Sequence, residues 1–380
     1  MPEGKKIKII ILWLILFSLC LCGCWDMIEL EERAFILGAG VDKTAEGMFS
    51  ITYQIALPDK MSGGEDGGNG GDGTINITVE GETLYDARNK LITMVDRVPN
   101  FEHLQVLLIG EEIARDGLQE FVDILARNYQ MRRRTKVFVA KGKAEEILKT
   151  KAKIEKSTAL YLSMLPQNNG KINEQITATV DLGTMIENLR ADFDFMLGVV
   201  QLEEEEISLS GAAVFNGGKL VGYLFGDSLA GAQWLKGDIK SSRVIVDKPT
   251  GELNKAVCLM GNVKTKLIPF INGNKIDFKL ELITEGELLE IYPANQIIFT
   301  EEQITGIEKA IETKIISLCR ESLRVLQEEM RTDVLMFEEH VRNKKYNFWE
   351  ENRQDWDRLF SQAQIDLEVR ARIRRVGLTR

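Results

Sequence analysis

The sequence predicts a multi-domain α+β protein, with an N-terminal mixed sheet covered by helices and a C-terminal antiparallel sheet packed on a long helix. Three observations favour this class. Strand and helix patterns alternate along residues 74–148, two long alternating apolar runs flank a glycine turn near residue 273, and a long amphipathic helix follows them. The chain has 380 residues. One hydrophobic core rarely serves so many residues, so we expect two or three domains.

The chain begins with a pattern typical of an export signal. Lys5, Lys6 and Lys8 precede an apolar run from Ile9 to Leu19, and small residues then lead to Cys24. The ending Leu21-Cys22-Gly23-Cys24 resembles the bacterial lipobox, whose last cysteine is lipidated on sulfur and becomes the new N-terminus. This resemblance implies that residues 1–23 are a signal peptide. It also implies that Cys24 carries acyl chains, such as palmitate, which hold the protein on the outer face of a membrane.

An uncleaved transmembrane anchor is the alternative reading of the same segment. The apolar run from Ile9 to Trp25 is 17 residues long, whereas a spanning helix needs about 20. Ser18 and Gly23 interrupt the run, and acidic residues begin immediately after it at Asp26. The sequence therefore favours the lipoprotein over the anchor.

The charge balance argues against a nucleic-acid-binding protein. The chain has 58 acidic and 48 basic residues, and removing residues 1–23 leaves 57 and 45, a net charge of −12. Binding to phosphates requires an excess of lysine and arginine. An acidic chain should also avoid anionic lipid surfaces except where a tether holds it.

Cysteines and histidines are too few to predict a disulfide framework or a metal site. After Cys24 only Cys258 and Cys319 remain, each in an apolar pattern, so we expect two buried free thiols. The two histidines, His103 and His340, are far apart, which leaves histidine-based zinc sites and Ser-His-Asp catalysis without ligands or bases. We therefore predict no catalytic residue, no cofactor and no metal, and a structural role for His103 at a strand edge.

Residues 24–205 are predicted to form the N-terminal domain, as one unit or as two subdomains, in which strands and helices alternate. The predicted strands are Met48–Leu57, Thr74–Val79, Leu104–Ile109 and Thr135–Ala140. The predicted helices are one capped by Thr83, one over 111–128 and one over 144–148. Residues 61–73 are rich in glycine and acidic residues, which predicts a flexible loop and not a phosphate-binding loop.

Residues 206–380 are predicted to form the C-terminal domain, after a boundary at the acidic run Glu203–Glu206. Two hairpins are expected, Ile207–Phe215 with Leu220–Phe225 and Val257–Phe270 with Lys275–Ile283. Asn-Gly turn residues connect the strands of each, and such residues adopt the positive φ that hairpin turns require.

The end of the chain is predicted to be helical and then extended. Thr300 and Gln303 form a capping box that opens a long amphipathic helix. A later helix, Phe348–Phe360, carries Trp349 and Trp356. From Ile365 to Ile373, apolar residues alternate strictly with charged ones, which indicates a strand with one solvent-exposed face.

Several motifs, taken in order along the whole chain, resemble the C-subunit lipoproteins of spore germinant receptors, the Ger(x)C family. No motif is specific alone, but their order and spacing are. The matching segments are Cys24-Trp25-Asp26 with Glu29-Leu30, residues 81–87, His103 with residues 108–117, residues 132–142 with 144–148, residues 211–215 with 219–222, and the C-terminal set of Trp349, Trp356, Phe360 and residues 374–378.

The resemblance implies a non-enzymatic subunit of a nutrient receptor in the inner membrane of the spore. Members of the family work with two integral membrane subunits to trigger germination. The identity of the nutrient, and whether this subunit contacts it, are left open by the sequence.

Two other functions are considered. A lipid-anchored solute-binding protein delivering a nutrient to a transporter predicts two lobes of similar pattern around a hinge, whereas the two halves here differ in class. An envelope hydrolase requires a carboxylate pair, for which Asp192 with Asp194, or Glu203–Glu206, are the candidates. In so acidic a chain, surface carboxylates are the simpler interpretation.

Overall fold

The computed structural model describes residues 29–376 apart from 62–72, 120, 122–130, 170–178, 238, 252 and 294–298, together with Gly4, Ile11 and Trp13. Cys24 and most of the predicted signal peptide lie outside the described residues. So do most of the glycine-rich segment 61–73 and the second half of the helix predicted over 111–128.

The described part contains strands and helices in alternation through the first half and long strands followed by helices in the second. The strands are β1 Arg33–Lys43, β2 Phe49–Ala56, β3 Thr74–Gly81, β4 Val98–Asn100, β5 Val106–Gly110, β6 Lys136–Ala140, β7 Val180–Asp181, β8 Phe195–Glu203, β9 Glu206–Asn216, β10 Lys219–Leu224, β11 Ser241–Asp247, β12 Lys255–Asn272, β13 Lys275–Tyr292 and β14 Ile365–Val376. The α-helices are α1 Pro58–Met61, α2 Leu84–Ile92, α3 Glu111–Asp116, α4 Ala144–Lys149, α5 Thr158–Asn169, α6 Leu182–Ala191, α7 Gly226–Lys236, α8 Glu301–Arg324, α9 Phe337–Lys344, α10 Tyr346–Asn352 and α11 Trp356–Gln362.

The first sheet is mixed, as predicted. Its main path runs β10-β9-β8-β6-β5-β1-β2-β3, with β4 and β7 paired at its margins. The four central strands β8, β6, β5 and β1 are mutually parallel, and an antiparallel pair flanks them on each side. Parallel central strands require helical crossovers, which explains why helices and strands alternate in this half of the sequence.

Helices cover both faces of this sheet. In β5, Val106 and Leu108 face a core cluster with α4 and α5, while Leu107 and Ile109 face a second cluster with α2 and α6. All four side chains are buried. The prediction that this apolar run is a strand buried on both sides is confirmed, and so is the cap of α2, where Thr83 Oγ1 accepts from the Asp86 amide at 3.1 Å.

The second sheet has the order β11-β12-β13-β14. The predicted fold class is confirmed, with one difference in strand direction: β14 pairs with β13 in parallel, whereas the other pairs are antiparallel. The chain passes through the helices of residues 301–362 between these two strands, and such a crossover returns β14 in the same direction as β13.

The long helix α8 begins at the predicted capping box. Thr300 Oγ1 accepts from the Gln303 amide at 3.2 Å, and Gln303 Oε1 accepts from the Thr300 amide at 3.0 Å. The side chains of Ile307, Ile311 and Ile315, which belong to α8, are fully buried. Helix α7 crosses α8 closely at Gly231, where an added Cβ would lie 2.0 Å from the Leu318 carbonyl oxygen. Only glycine allows this approach.

The hairpin β9–β10 joins the two halves. Its turn residues Gly217 and Gly218 have φ of 52° and 81°, as the turn prediction requires. β9 pairs with β8 and so extends the first sheet, while its side chains Ala212 and Val214 belong to the core of the second half. The run Glu203–Glu206 is the tight turn between β8 and β9, so the division of the chain at that point stays a prediction.

The remaining cysteines and His103 occupy structural positions. Cys258 and Cys319 are free and buried, as predicted, and burial raises the pKa of each thiol to about 12. His103 packs edge-to-face against Phe35 with ring centres 5.1 Å apart.

Within the described residues, no helix is both long enough and apolar enough to cross a membrane.

Candidate functional site

A polar cavity lies where the first sheet meets the last helices of the chain. Its volume is about 400 Å³. We call it the junction cavity. It is lined by Ala191, Asp192, Asp194, Asn216, Gly217, Glu338, Trp349, Arg353, Gln354, Trp356 and Asp357. Four of these residues are acidic, and both tryptophans belong to the C-terminal motif singled out in the sequence.

Asp333 anchors the wall of the junction cavity that the second half contributes. Its side chain is buried, with 4% of the residue exposed. Oδ1 accepts from the amides of Leu335 at 3.1 Å and Phe337 at 3.3 Å. Oδ2 accepts from the Glu338 amide at 2.7 Å and from Trp356 Nε1 at 3.0 Å. Asp333 therefore satisfies the first amides of α9, although Met336 occupies the N-cap position, and it fixes α11 against that helix.

Asp194 connects the two halves directly. Oδ1 accepts from the Gly217 amide at 3.2 Å, within the first sheet. Oδ2 accepts from the Asp333 amide at 3.1 Å, in the second half. Asn216 adds a second link, since its Nδ2 donates to Asp357 Oδ2 at 2.9 Å. One carboxyl group thus joins a hairpin turn of the first sheet to the segment that follows α8.

Glu338 and Trp349 form the third polar contact of the junction cavity. Trp349 Nε1 donates to Glu338 Oε1 at 2.9 Å. The Arg342 guanidinium lies 4.5 Å from the ring centre of Phe193, which precedes Asp194, and 5.8 Å from that of Trp349. The cation–π contact with Phe193 again connects the two halves.

Burial raises the pKa of the carboxyl groups of Asp194, Glu338 and Asp333. The pKa of Asp194 rises to about 8, chiefly because burial disfavours its charged form and next because Asp357 is negative. The pKa of Glu338 rises to about 7, again chiefly through burial, although the Trp349 indole partly opposes this shift. Burial also raises the pKa of Asp333, and its four hydrogen bonds oppose that shift.

These shifts predict a pH-dependent stability. Asp194 and Glu338 bind protons more tightly in the folded than in the unfolded chain, so the free energy of unfolding should fall as the pH rises from about 4.5 to about 8. Between pH 5 and pH 8 we expect a loss of several kcal/mol, which the lowered pKa of His340 opposes in part. Denaturant titrations across this range would measure it.

The variant Asp194→Asn is the matched test of that slope. It should be less stable at pH 5, because the amide cannot accept at both oxygens, but its stability should change less between pH 5 and pH 8. Carboxyl groups with lowered pKa, such as Glu368, are ionised throughout this range and contribute no slope. An unchanged slope in the variant would contradict the assignment to Asp194.

The structure brings one candidate pair from the sequence together, since Asp192 and Asp194 both line the junction cavity. Asp194 accepts from two backbone amides, while Asp192 ends α6 in a left-handed conformation with φ of 57°. The run Glu203–Glu206 lies in the β8–β9 turn, and Cys24 lies outside the described residues. Among the residues that the structure describes, no group of three or more His, Cys, Asp or Glu side chains is arranged to hold a metal ion.

Sequence reasoning missed Asp333 and Glu338. An acidic residue shortly before a helix is a capping signal, and Asp333 lies four residues before Phe337, the first residue of α9. The pairing of Glu338 with Trp349 depends on how α9 and α10 pack, and local sequence contains no signal for it.

Two family profiles match the chain in order. The profile described as the spore germination protein N-terminal domain matches residues 26–202, and the one described as spore germination B3/GerAC like, C-terminal, matches residues 210–377. Together they cover most of the chain.

Individual proteins align with the chain over nearly their full length. Spore germination protein B3 of Bacillus subtilis (strain 168) is 25% identical over 366 residues, which cover 94% of this chain and 95% of the relative. Spore germination protein A3 of the same organism is 26% identical over 375 residues, covering 97% and 98%. The crystal structure of the GerBC protein superposes with a TM-score of 0.62 at 20% identity, over 92% of this chain and 100% of that one, which shows a shared fold.

Proposed function

The chain belongs to the Ger(x)C family of spore germination proteins, and from that premise we propose that it is a lipid-anchored, non-enzymatic subunit of a nutrient germinant receptor. In this proposal it assembles with two integral membrane subunits at the outer face of the cell membrane, which becomes the inner membrane of the spore. The observation that carries the proposal is the match of both family halves, in order, across residues 26–377.

The tether gives the proposal its physical mechanism. Acyl chains on Cys24 would confine the folded domains to the membrane surface, where the other subunits reside. Confinement raises the effective concentration of a partner towards the millimolar range, so a weak interface becomes mostly occupied. Docking in the membrane plane therefore does not require a large apolar contact surface.

The geometry of the junction cavity supports a structural role for its carboxyl groups. Both oxygens of Asp194 accept hydrogen bonds from backbone amides, those of Gly217 and Asp333, and one oxygen of Glu338 accepts from the Trp349 indole. A general base needs a free oxygen within reach of a substrate proton, and both oxygens of Asp194 are already engaged. Asp194 held in this way instead fixes the orientation of the two halves.

Replacing Cys24 by alanine should abolish lipidation. The thioether diacylglycerol and an N-acyl chain together supply more than one acyl tail, which is enough for stable anchoring, whereas one tail is marginal. We expect Cys24→Ala to leave full-length precursor or to release the protein from membranes, as measured by fractionation and intact mass. Germination on nutrients should weaken strongly while the fold persists, and overproduced soluble protein should partly restore it.

The matched control is Cys22→Ala. This cysteine lies two residues upstream and is expected to leave with the signal peptide, so the variant should fractionate and germinate as the wild type does. If Cys24→Ala has the same mass as the wild-type protein and stays fully in the membrane, the prediction of a lipoprotein is contradicted. An uncleaved transmembrane anchor would then be favoured.

Crosslinking in dormant spore membranes tests the docking itself. A short crosslinker should capture this subunit with each integral membrane subunit, and a deletion strain should lose the nutrient response while chemically induced germination stays normal. If neither partner is captured, and the purified protein binds a nutrient tightly by itself, the solute-binding alternative replaces the proposal. Hydrolysis of a nutrient by the purified protein would likewise contradict the proposal that the subunit is not an enzyme.

A further inference from the structure

The second sheet has two edges, and they differ in how their backbone groups are satisfied. At the β14 edge, helix α8 supplies partners: the Ala371 amide donates to Glu312 Oε1 at 3.0 Å, and the Ile373 amide donates to Glu308 Oε1 at 2.9 Å. At the β11 edge, no strand of the described part pairs on the side away from β12. An open strand edge is a template for another strand.

A groove of about 680 Å³ runs along the β11 edge. We call it the edge groove. Six consecutive residues, Ser242–Asp247, line one side of it. Side chains of a strand alternate between the two faces of a sheet, so a run of consecutive residues lines a groove only when the groove follows the edge.

Small side chains make up much of the opposite wall of the edge groove, Ala230 of α7 and Ala310, Thr313 and Ser317 of α8. Small side chains let a backbone approach closely. The same wall also includes Leu318 of α8, and Lys314 of α8, which pairs with Asp227 of α7 at 3.2 Å.

The dimensions of the groove fit one extended chain. Six residues of strand are about 20 Å long, so the volume corresponds to a cross-section of about 35 Å². One strand with its side chains takes about 48 Å², from spacings of about 4.8 Å between strands and 10 Å between layers. The groove therefore has room for no more than one strand, and part of that strand would lie outside it.

The exposed side chains of β11 define the chemistry of the occupant. Arg243, Ile245 and Asp247 point outwards, and Ile245 is 43% exposed. Directly opposed residues of antiparallel strands interact most favourably when charges are opposite and apolar groups meet. An antiparallel occupant should therefore present a basic, an apolar and an acidic residue at alternate positions, in that order from its N-terminus.

We propose that the edge groove binds an extended segment of a partner protein, which adds a fifth strand to the second sheet beside β11. Main-chain hydrogen bonds supply the affinity in this mode of recognition, and the alternate side chains supply the specificity. The inference rests on the proposed function only for the source of the segment, which we expect to be another receptor subunit. The same charge order would match β11 of a second copy of the chain. A second copy is disfavoured because its β12 and helices would have to enter a groove that is only one strand wide.

A synthetic peptide tests the groove on the purified full-length protein in detergent. The probe is an end-blocked eight-residue peptide with the core Lys-Val-Ile-Val-Asp, labelled for fluorescence anisotropy. We expect saturable binding, together with slower hydrogen exchange of β11 amides. A peptide with the same side chains and N-methylated backbone amides should not bind, because it cannot donate to the edge. Absence of binding at millimolar peptide, or equal binding of the N-methylated peptide, would overturn the proposal.

Two threonines of α8 provide a matched pair of variants. Thr313 and Thr305 are both exposed, and each hydroxyl donates to the carbonyl four residues earlier, but Thr313 lines the groove and Thr305 does not. Thr313→Trp should weaken peptide binding at least tenfold, and Thr305→Trp should leave it within twofold. Equal effects of the two variants would contradict the proposal.

A charge exchange gives a second test that leaves the core untouched. The double variant Arg243→Asp with Asp247→Arg should prefer the peptide with the reversed core, Asp-Val-Ile-Val-Lys, whereas the wild type prefers the original. Sedimentation at increasing protein concentration serves as the last check. If the protein forms a dimer that the peptide dissociates, then a second copy of the chain occupies the edge groove. That result would overturn the proposal of a partner protein. None of these measurements involves spores or lipidation, so failure of the anchoring experiments leaves their outcome unaffected.

Discussion

Replacing Asp333 by alanine is expected to be among the most damaging single substitutions in the second half. Four buried donors lose their acceptor at once, three amides around the start of α9 and the Trp356 indole. Each unsatisfied buried donor costs about 1–3 kcal/mol. The expected loss is therefore about 4 kcal/mol or more, a large share of a total stability of about 5–15 kcal/mol.

Urea unfolding followed by tryptophan fluorescence would measure this loss, because Trp356 lies at the site of the change. The matched control is Asp357→Ala. Its carboxyl group lines the same cavity but is exposed, and it accepts from Asn216. This variant should cost less than about 1 kcal/mol. Equal stability of the two variants would show that Asp333 does not hold the junction.

Removing residues 365–380 should unfold the second half of the protein. The deletion takes the buried side chains Val369 and Ala371 from the sheet and exposes the edge of β13. A buried aliphatic side chain contributes about 1.5–3 kcal/mol. The deletion also strips Glu308, itself only 7% exposed, of its partners Ile373 and Arg372. A buried carboxylate without partners is strongly destabilising.

Thermal melting by circular dichroism would test the deletion, with loss of cooperative unfolding in the second half as the expected result. A chain shortened only by residues 377–380, which follow β14, is the control and should melt as the wild type does. Native spectra and a cooperative transition in the longer deletion would show that β14 is dispensable.

The sequence by itself determined the elements whose signals are local. The capping box of Thr300 and Gln303, the positive φ of Gly217 and Gly218, and the buried run in β5 were all predicted, because each depends on neighbouring residues or on a simple period. The lipobox and the ordered motifs likewise pointed to the family before any contact was known.

Only the tertiary structure decided how these elements combine. An alternating strand such as Ile365–Ile373 has the same pattern whether its neighbour runs parallel or antiparallel, so the parallel pairing of β14 with β13 could not be predicted. The acidic run Glu203–Glu206 suggested a domain boundary, but charged side chains are exposed to solvent in linkers and in tight turns alike. The structure places this run in a turn between two strands of one sheet.

The junction cavity shows the same division. Asp194, Asp333 and Glu338 are separated by up to 144 positions in sequence. Burial raises the pKa of each of them, and neighbouring carboxyl groups raise those of Asp194 and Glu338 further. Both effects depend on distances that exist only after the two halves have packed. Local sequence sets which face of an element is buried, whereas the partner that buries it, its direction and the resulting charges are set by contacts between distant residues.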